Sequence, residues 1–127
     1  MSFRALIAAT LIAAASPALA DGDPAAGEAV FKKCRACHEV GENAKNKVGP
    51  ILNGVVGRQA GTGANYSQYS NAMIEAGTNG LAWTEETLAQ YLADPKGFVP
   101  KNRMAFAGLK KESDIENVIA YLKTFSQ

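Results

Sequence analysis

The sequence predicts an all-α fold in which short helices are joined by long loops. Three observations carry that reading. Helix-start signals and apolar residues at helical spacing recur along the chain, no segment alternates apolar and polar residues with a period of two, and glycines cluster between the helical pieces. Hydrophobic residues make up 47% and charged residues 20% of the 127, so the chain can bury a core, and its length suits one domain. With 2 cysteines and 1 histidine, a zinc ribbon, a multi-cysteine iron–sulfur cluster and a disulfide-dense scaffold are excluded.

Residues 1–20 read as a secretory signal. Arg4 supplies the positive start, residues 5–15 form an apolar run broken only by Thr10, and Ala18-Leu19-Ala20 offers a small-residue cleavage site. A membrane-spanning helix needs about 20 apolar residues, so the run is too short to span. Cleavage after Ala20 is expected to leave a single soluble domain, residues 21–127, in the periplasm.

The helical pieces follow in order. Asp23-Pro24 is an N-cap followed by a first-turn proline, opening a helix that runs toward Cys34. Residues 69–76 form a short helix ended by Gly77. Thr84 caps a helix whose first turn holds Glu85 and Glu86, acids that complement the helix dipole. Leu88, Tyr91 and Leu92 form its apolar face, and Asp94-Pro95 ends it. Ser113 and Glu116 are the ends of a capping box, and Ile115, Val118, Ile119 and Leu122 follow at i, i+3, i+4 and i+7. Loops are expected at 41–49, 54–63, 77–80 and 95–108. So much loop buries little in so small a domain, so something other than side chains is expected to fill the middle.

Cys34-Arg35-Ala36-Cys37-His38 identifies the filler. C-x-x-C-H in an exported chain is the attachment motif of a covalent c-type haem. On a helical turn Cys34, Cys37 and His38 share one face. Two thioethers can then grip the vinyl groups while the imidazole reaches the iron. A redox or structural disulfide needs no histidine, and a zinc site would lack its fourth ligand. No other histidine exists for the second axial position. Met73 and Met104 remain once Met1 leaves with the signal; a lysine, water or an open site are the alternatives. Met73 lies in a helical stretch and reads as core. Met104 lies in a loop that can wrap the far side of the ring, and position favours it.

The mature chain resembles the class I cytochromes c, the group of bacterial cytochrome c2 and mitochondrial cytochrome c. The resemblance runs from Gly27-Glu28-Ala29-Val30-Phe31 through the haem motif, Val48-Gly49-Pro50, Gly57-Arg58, Trp83-Thr84-Glu85 and Tyr91-Leu92-Ala93-Asp94-Pro95. It continues through Val99-Pro100-Lys101-Asn102-Arg103-Met104 and Ile119-Ala120-Tyr121-Leu122. It implies one haem enclosed by short helices and loops, with the N- and C-terminal helices packed together, Gly27 and Phe31 against Val118, Tyr121 and Leu122. It further implies His38 and Met104 as axial ligands and the Pro50 carbonyl as acceptor for the other imidazole nitrogen. Arg58, Tyr69 and Trp83 are implied as donors to a buried propionate, and Tyr91 as the neighbour of the Met104 sulfur. Asn102 stands where the family usually has threonine, and a donor role toward the propionate is expected of it. The Gly61–Tyr69 loop is one residue longer than its mitochondrial counterpart, which leaves Tyr66 and Gln68 as alternatives to Tyr69, the expected donor.

Charge is unevenly distributed. Residues 32–47 and 96–111 hold Lys32, Lys33, Arg35, Lys45, Lys47, Lys96, Lys101, Arg103, Lys110 and Lys111 against only Glu39 and Glu42. These windows flank both axial-ligand candidates, so a basic side is expected around the haem edge, steering encounter with acidic membrane redox complexes. Loss of Arg4 with the signal would leave 12 basic against 12 acidic residues, and that balance together with the lack of a basic–aromatic groove excludes nucleic acid. The function expected is a soluble, monomeric one-electron carrier and not an enzyme. It would shuttle between a quinol-oxidising, bc1-type complex and a photosynthetic reaction centre or terminal oxidase. A dedicated acceptor for one periplasmic dehydrogenase is the alternative. A haem peroxidase or gas sensor would need an open iron site and a distal acid or base, which one histidine cannot supply.

Overall fold

The computed structural model describes residues 22–126. The expected export signal, residues 1–20, and the expected cleavage site after Ala20 lie outside the described residues. Five helices follow one another: α1 (Pro24–Phe31), α2 (Asn71–Thr78), α3 (Glu85–Ala93), α4 (Pro95–Phe98) and α5 (Glu112–Lys123). Among the described residues no strand forms; an isolated antiparallel bridge joins Gln59 and Ala82. No helix among them is long and apolar enough to cross a membrane.

The N- and C-terminal helices pack together, as expected. Asp23 caps α1 by accepting from the Ala25 N–H at 3.0 Å, while its own N–H donates to Asn117 Oδ1 of α5 at 2.8 Å. Gly27 permits the closest approach: a Cβ there would lie 1.9 Å from the Asn117 carbonyl oxygen. One turn on, Phe31 and Val118 are each only 1% exposed, and Phe31 meets Tyr121 with ring centroids 5.5 Å apart.

Helix boundaries depart from the sequence reading in three places. In α2 the N-cap is Ser70, whose hydroxyl accepts from the Met73 N–H at 3.0 Å, and the helix runs past Gly77 to Thr78. Gly77 is a packing residue, with the Ala60 carbonyl oxygen 1.9 Å from where a Cβ would stand. α5 starts at Glu112, and its N-cap Lys111 makes no side-chain capping bond, so the Ser113–Glu116 capping box does not form. Glu112 and Asp114 in the first turn complement the dipole in its place. Finally, Asp94-Pro95 ends α3 but also opens α4, part of the stretch expected as loop. The Asp94 carboxylate accepts from the Gly97 N–H at 3.0 Å, and Pro95 sits in the first turn where its missing N–H costs nothing.

Candidate functional site

The segment after α1 continues as tight turns that display the cysteine–histidine motif. The Cys34 N–H donates to the Phe31 carbonyl at 2.8 Å, and the Cys34 carbonyl accepts from both the Cys37 and His38 N–H groups, at 3.1 and 2.9 Å. Cys34 and Cys37 are unbridged, half-buried thiols. Burial, and Cys37 beside it, push the Cys34 thiol above its ordinary range.

His38 is oriented by the loop that returns past it. Its Nδ1 pairs with the Pro50 carbonyl at 2.7 Å. A carbonyl can only accept, so the hydrogen sits on Nδ1 and the lone pair is left on Nε2. Burial lowers the His38 pKa, the Pro50 bond opposes that shift and the nearby Arg58 charge adds to it, which favours the neutral ring a metal ligand needs. Gly49 supplies the space: a Cβ there would stand 2.4 Å from Cε1 and 2.8 Å from Nε2. The sequence contained Gly49-Pro50 as a matched dipeptide, but nothing in it showed that the ring lies on the glycine. Asn53 secures this loop, exchanging two bonds with the Gly41 backbone at 2.9 and 2.8 Å. Gly49→Ala is expected to displace the ring, cost about 1–3 kcal/mol in stability and add high-spin character to the haem spectrum; an unchanged low-spin spectrum would show that the ring has room.

Met104 sits in the irregular segment between α4 and α5, half-buried. The Tyr91 hydroxyl donates toward its sulfur at 3.7 Å. Burial pushes the Tyr91 phenol up to about 12, so it stays protonated and a donor at neutral pH. Trp83 packs against Tyr91 in a tilted contact, with centroids 4.8 Å apart and ring planes at 43°, and Phe98 stands 6.4 Å from both rings. Beyond Met104 the chain is tied back to α3 by the Leu109 N–H donating to the Leu92 carbonyl at 2.8 Å. Met73, the other thioether, is buried in the core.

Arg58 and Trp83, far apart in sequence, are brought together by the short pairing around the Gln59–Ala82 bridge. The Trp83 N–H donates to the Arg58 carbonyl at 2.8 Å and the Gly57 N–H to the Trp83 carbonyl at 2.6 Å. Arg58 Nη1 donates to the Ile51 and Asn53 carbonyls at 3.3 and 3.4 Å, while its Nε is buried without a partner. The Tyr69 hydroxyl accepts from the Gly63 N–H at 2.8 Å, which leaves its own proton to donate. A Cβ on Gly63 would lie 2.5 Å from that hydroxyl and 3.6 Å from Arg58 Nη2, so the two side chains converge. Tyr66 is different: its hydroxyl donates to the Val48 carbonyl, and its proton is spent. Asn102 is different too. Both its amide hydrogens go to backbone carbonyls, of Pro95 and Val99, each at 2.8 Å. None is left for the propionate expected to receive one, because the Asn102 amide is turned toward α4.

This donor set fits a haem c: two thiols and an imidazole on adjacent turns, a thioether with one weak donor, and a buried guanidinium nitrogen that lacks an acceptor. An unpaired buried donor of that kind is costly unless a charged partner completes it. All ten basic residues of segments 32–47 and 96–111 are exposed. Among the described residues only Arg35 of these forms an ion pair, with Glu28 at 3.7 Å.

The family model described as Cytochrome c matches residues 24–126. The chain is 55% identical over 102 residues to cytochrome c2 of Agrobacterium tumefaciens (strain II Chrys), covering 80% of this chain and 91% of that one. Cytochrome c2 of Afifella marina is 55% identical over 101 residues, covering 80% of this chain and 81% of its own. Among solved structures, cytochrome c2 from Rhodospirillum centenum superposes with a TM-score of 0.78 at 48% identity, over 84% of this chain and all of the other.

Proposed function

The chain belongs to the cytochrome c family, and on that premise we propose that it is a periplasmic one-electron carrier whose haem c, held through Cys34 and Cys37, is ligated by His38 and Met104. When bound, the haem supplies a one-electron iron couple. The observation that carries the reading is that each candidate ligand has its own orienting partner: Pro50 for His38 at 2.7 Å and Tyr91 for Met104 at 3.7 Å. His38 presents an Nε2 lone pair because Pro50 holds the hydrogen on Nδ1. Met104 presents a neutral, soft sulfur, which favours the reduced state. Arg58, Trp83 and Tyr69 stand as donors for a buried propionate, whose charge Arg58 would balance. If His38 and Met104 both held the iron, no position would be left on it for substrate, which would separate a carrier from a peroxidase or gas sensor.

The partners are inferred to be membrane redox complexes with acidic docking surfaces: a quinol-oxidising, bc1-type donor and a reaction centre or terminal oxidase as acceptor. The basic residues supporting this are Lys32, Lys33, Lys96, Lys101, Arg103, Lys110 and Lys111, all exposed. Electron-transfer rates with such a complex are expected to fall at least severalfold as ionic strength rises from about 0.01 to 0.15 M, because the Debye length shrinks from roughly 30 to 8 Å. Stopped-flow kinetics across that range would measure it, and salt-independent rates would remove the steering argument. The ligation itself is tested by the optical spectrum of the purified protein. Sharp low-spin reduced bands, a weak far-red band when oxidised and no response to carbon monoxide are expected. Ready carbon monoxide binding would move the catalytic or sensing reading to the front.

A further inference from the structure

We propose that Asn102 is the positioning residue of the Met104 thioether, an inference that rests on Met104 being an axial ligand. Asn102 is only 5% exposed, and every polar valence of its side chain is engaged. Nδ2 donates to the carbonyls of Pro95 and Val99, the residues at the start and the C-cap of α4. Oδ1 accepts from the Met104 N–H at 2.8 Å and, more distantly, from Lys96 Nζ at 3.4 Å. One amide therefore bolts α4 to the backbone of the residue that carries the sulfur.

The main chain adds to the clamp. The Asn102 N–H donates to the Val99 carbonyl at 3.2 Å, closing a turn with Pro100 second and Lys101 third. Lys101 has φ +67°, the left-handed conformation that favours glycine in that position. Such a conformation persists when its surroundings over-determine it. The three bonds of the Asn102 side chain to Pro95, Val99 and Met104 do so here, and Lys96 Nζ adds a bond to the Asn102 carbonyl. Downstream the next anchor is the Leu109 bond to α3, and between the two the chain has no regular structure. The direction of the thioether is thus set at the backbone by Asn102 and at the sulfur by Tyr91. In this role the asparagine serves the ligand, where a propionate donor would have served the ring.

The test uses the holoprotein. Asn102→Ala leaves the Met104 N–H without its acceptor and removes the two side-chain bonds to Pro95 and Val99, while the main-chain bonds to Val99 and Lys96 stay in place. The far-red band of the oxidised protein should weaken, and carbon monoxide should bind the reduced protein on the order of tenfold faster, the factor set by about one lost net hydrogen bond. Asn102→Ser, whose hydroxyl can accept from the Met104 N–H but reach at most one carbonyl, should fall between the two proteins. A lower melting temperature with band and carbon monoxide rate unchanged would overturn the proposal. If Asn102→Ala does not mature, hydrogen exchange in the unaltered protein decides. The Met104 amide should exchange at least about tenfold more slowly than the Ala105 and Ala107 amides, which donate no hydrogen bond among the described residues. Equal rates would overturn the proposal. A failure of the underlying ligation is distinct: the unaltered protein would itself lack the band and bind carbon monoxide.

Discussion

Replacing Met104 with alanine is expected to turn an electron carrier into a protein with an open haem. The far-red band should vanish from the oxidised spectrum, the reduced protein should bind carbon monoxide readily, and the reduction potential should fall on the order of 0.2 V, a fraction of the roughly 0.8 V range that axial ligands span. The physical reason is that the histidine, phenol and amide side chains of the site are not free to take the sulfur's place. His38 is the single histidine, the Tyr91 phenol is held protonated by burial, and the Asn102 amide is committed to α4. Met73→Leu is the control. Met73 is buried in the core, so this volume-conserving change should cost under about 1.5 kcal/mol and leave the spectrum intact. If Met73→Leu removed the band and Met104→Ala did not, the ligand assignment would be reversed.

Gly27→Ala should cause the largest loss of stability from the smallest change. In an exposed helix interior this substitution gains roughly 1 kcal/mol from helix propensity. Here the new methyl would meet the Asn117 carbonyl oxygen at 1.9 Å, its carbonyl carbon at 2.5 Å and Tyr121 Cβ at 2.8 Å. Two of those atoms are α5 backbone and cannot rotate away, so the helices must separate. Phe31 and Val118, sealed one turn on, would lose close contact. We expect a net destabilisation of about 2–4 kcal/mol, overpacking and lost packing exceeding the propensity gain. In a domain of this size that is a melting temperature lower by roughly 10–25 °C. Thermal unfolding of the holoprotein would measure it, and a melting temperature equal to or above that of the unaltered protein would show that the crossing tolerates a methyl group.

Much of the site was legible because its chemistry depends on residue types that are rare or closely spaced. Cys34, Cys37 and His38 lie within one turn, so their common face follows from helical geometry alone. The caps at Asp23 and Thr84 were legible for the same reason, since donor and acceptor are three residues apart or fewer. Ser113 misled because a capping box is a local option, and the start of α5 follows the chain's path out of the preceding loop; the N-cap falls two residues earlier, at Lys111, with acids in the first turn. Gly77 resembled a helix stop, yet contact with Ala60, seventeen positions away, is what requires a glycine there.

The sequence by itself therefore determined the helical class, the covalent cofactor and the pair of candidate ligands, because each is encoded in short-range spacing or in which side chains exist at all. Only the tertiary structure decided which polar groups are spent and which are free. It turned Asn102 toward α4, used the Tyr66 proton on Val48, left the Tyr69 proton unspent and left Arg58 Nε buried without a partner. A hydrogen bond needs two groups within about 3 Å and in line, and for side chains on separate loops that condition is met or missed only once the whole chain has folded.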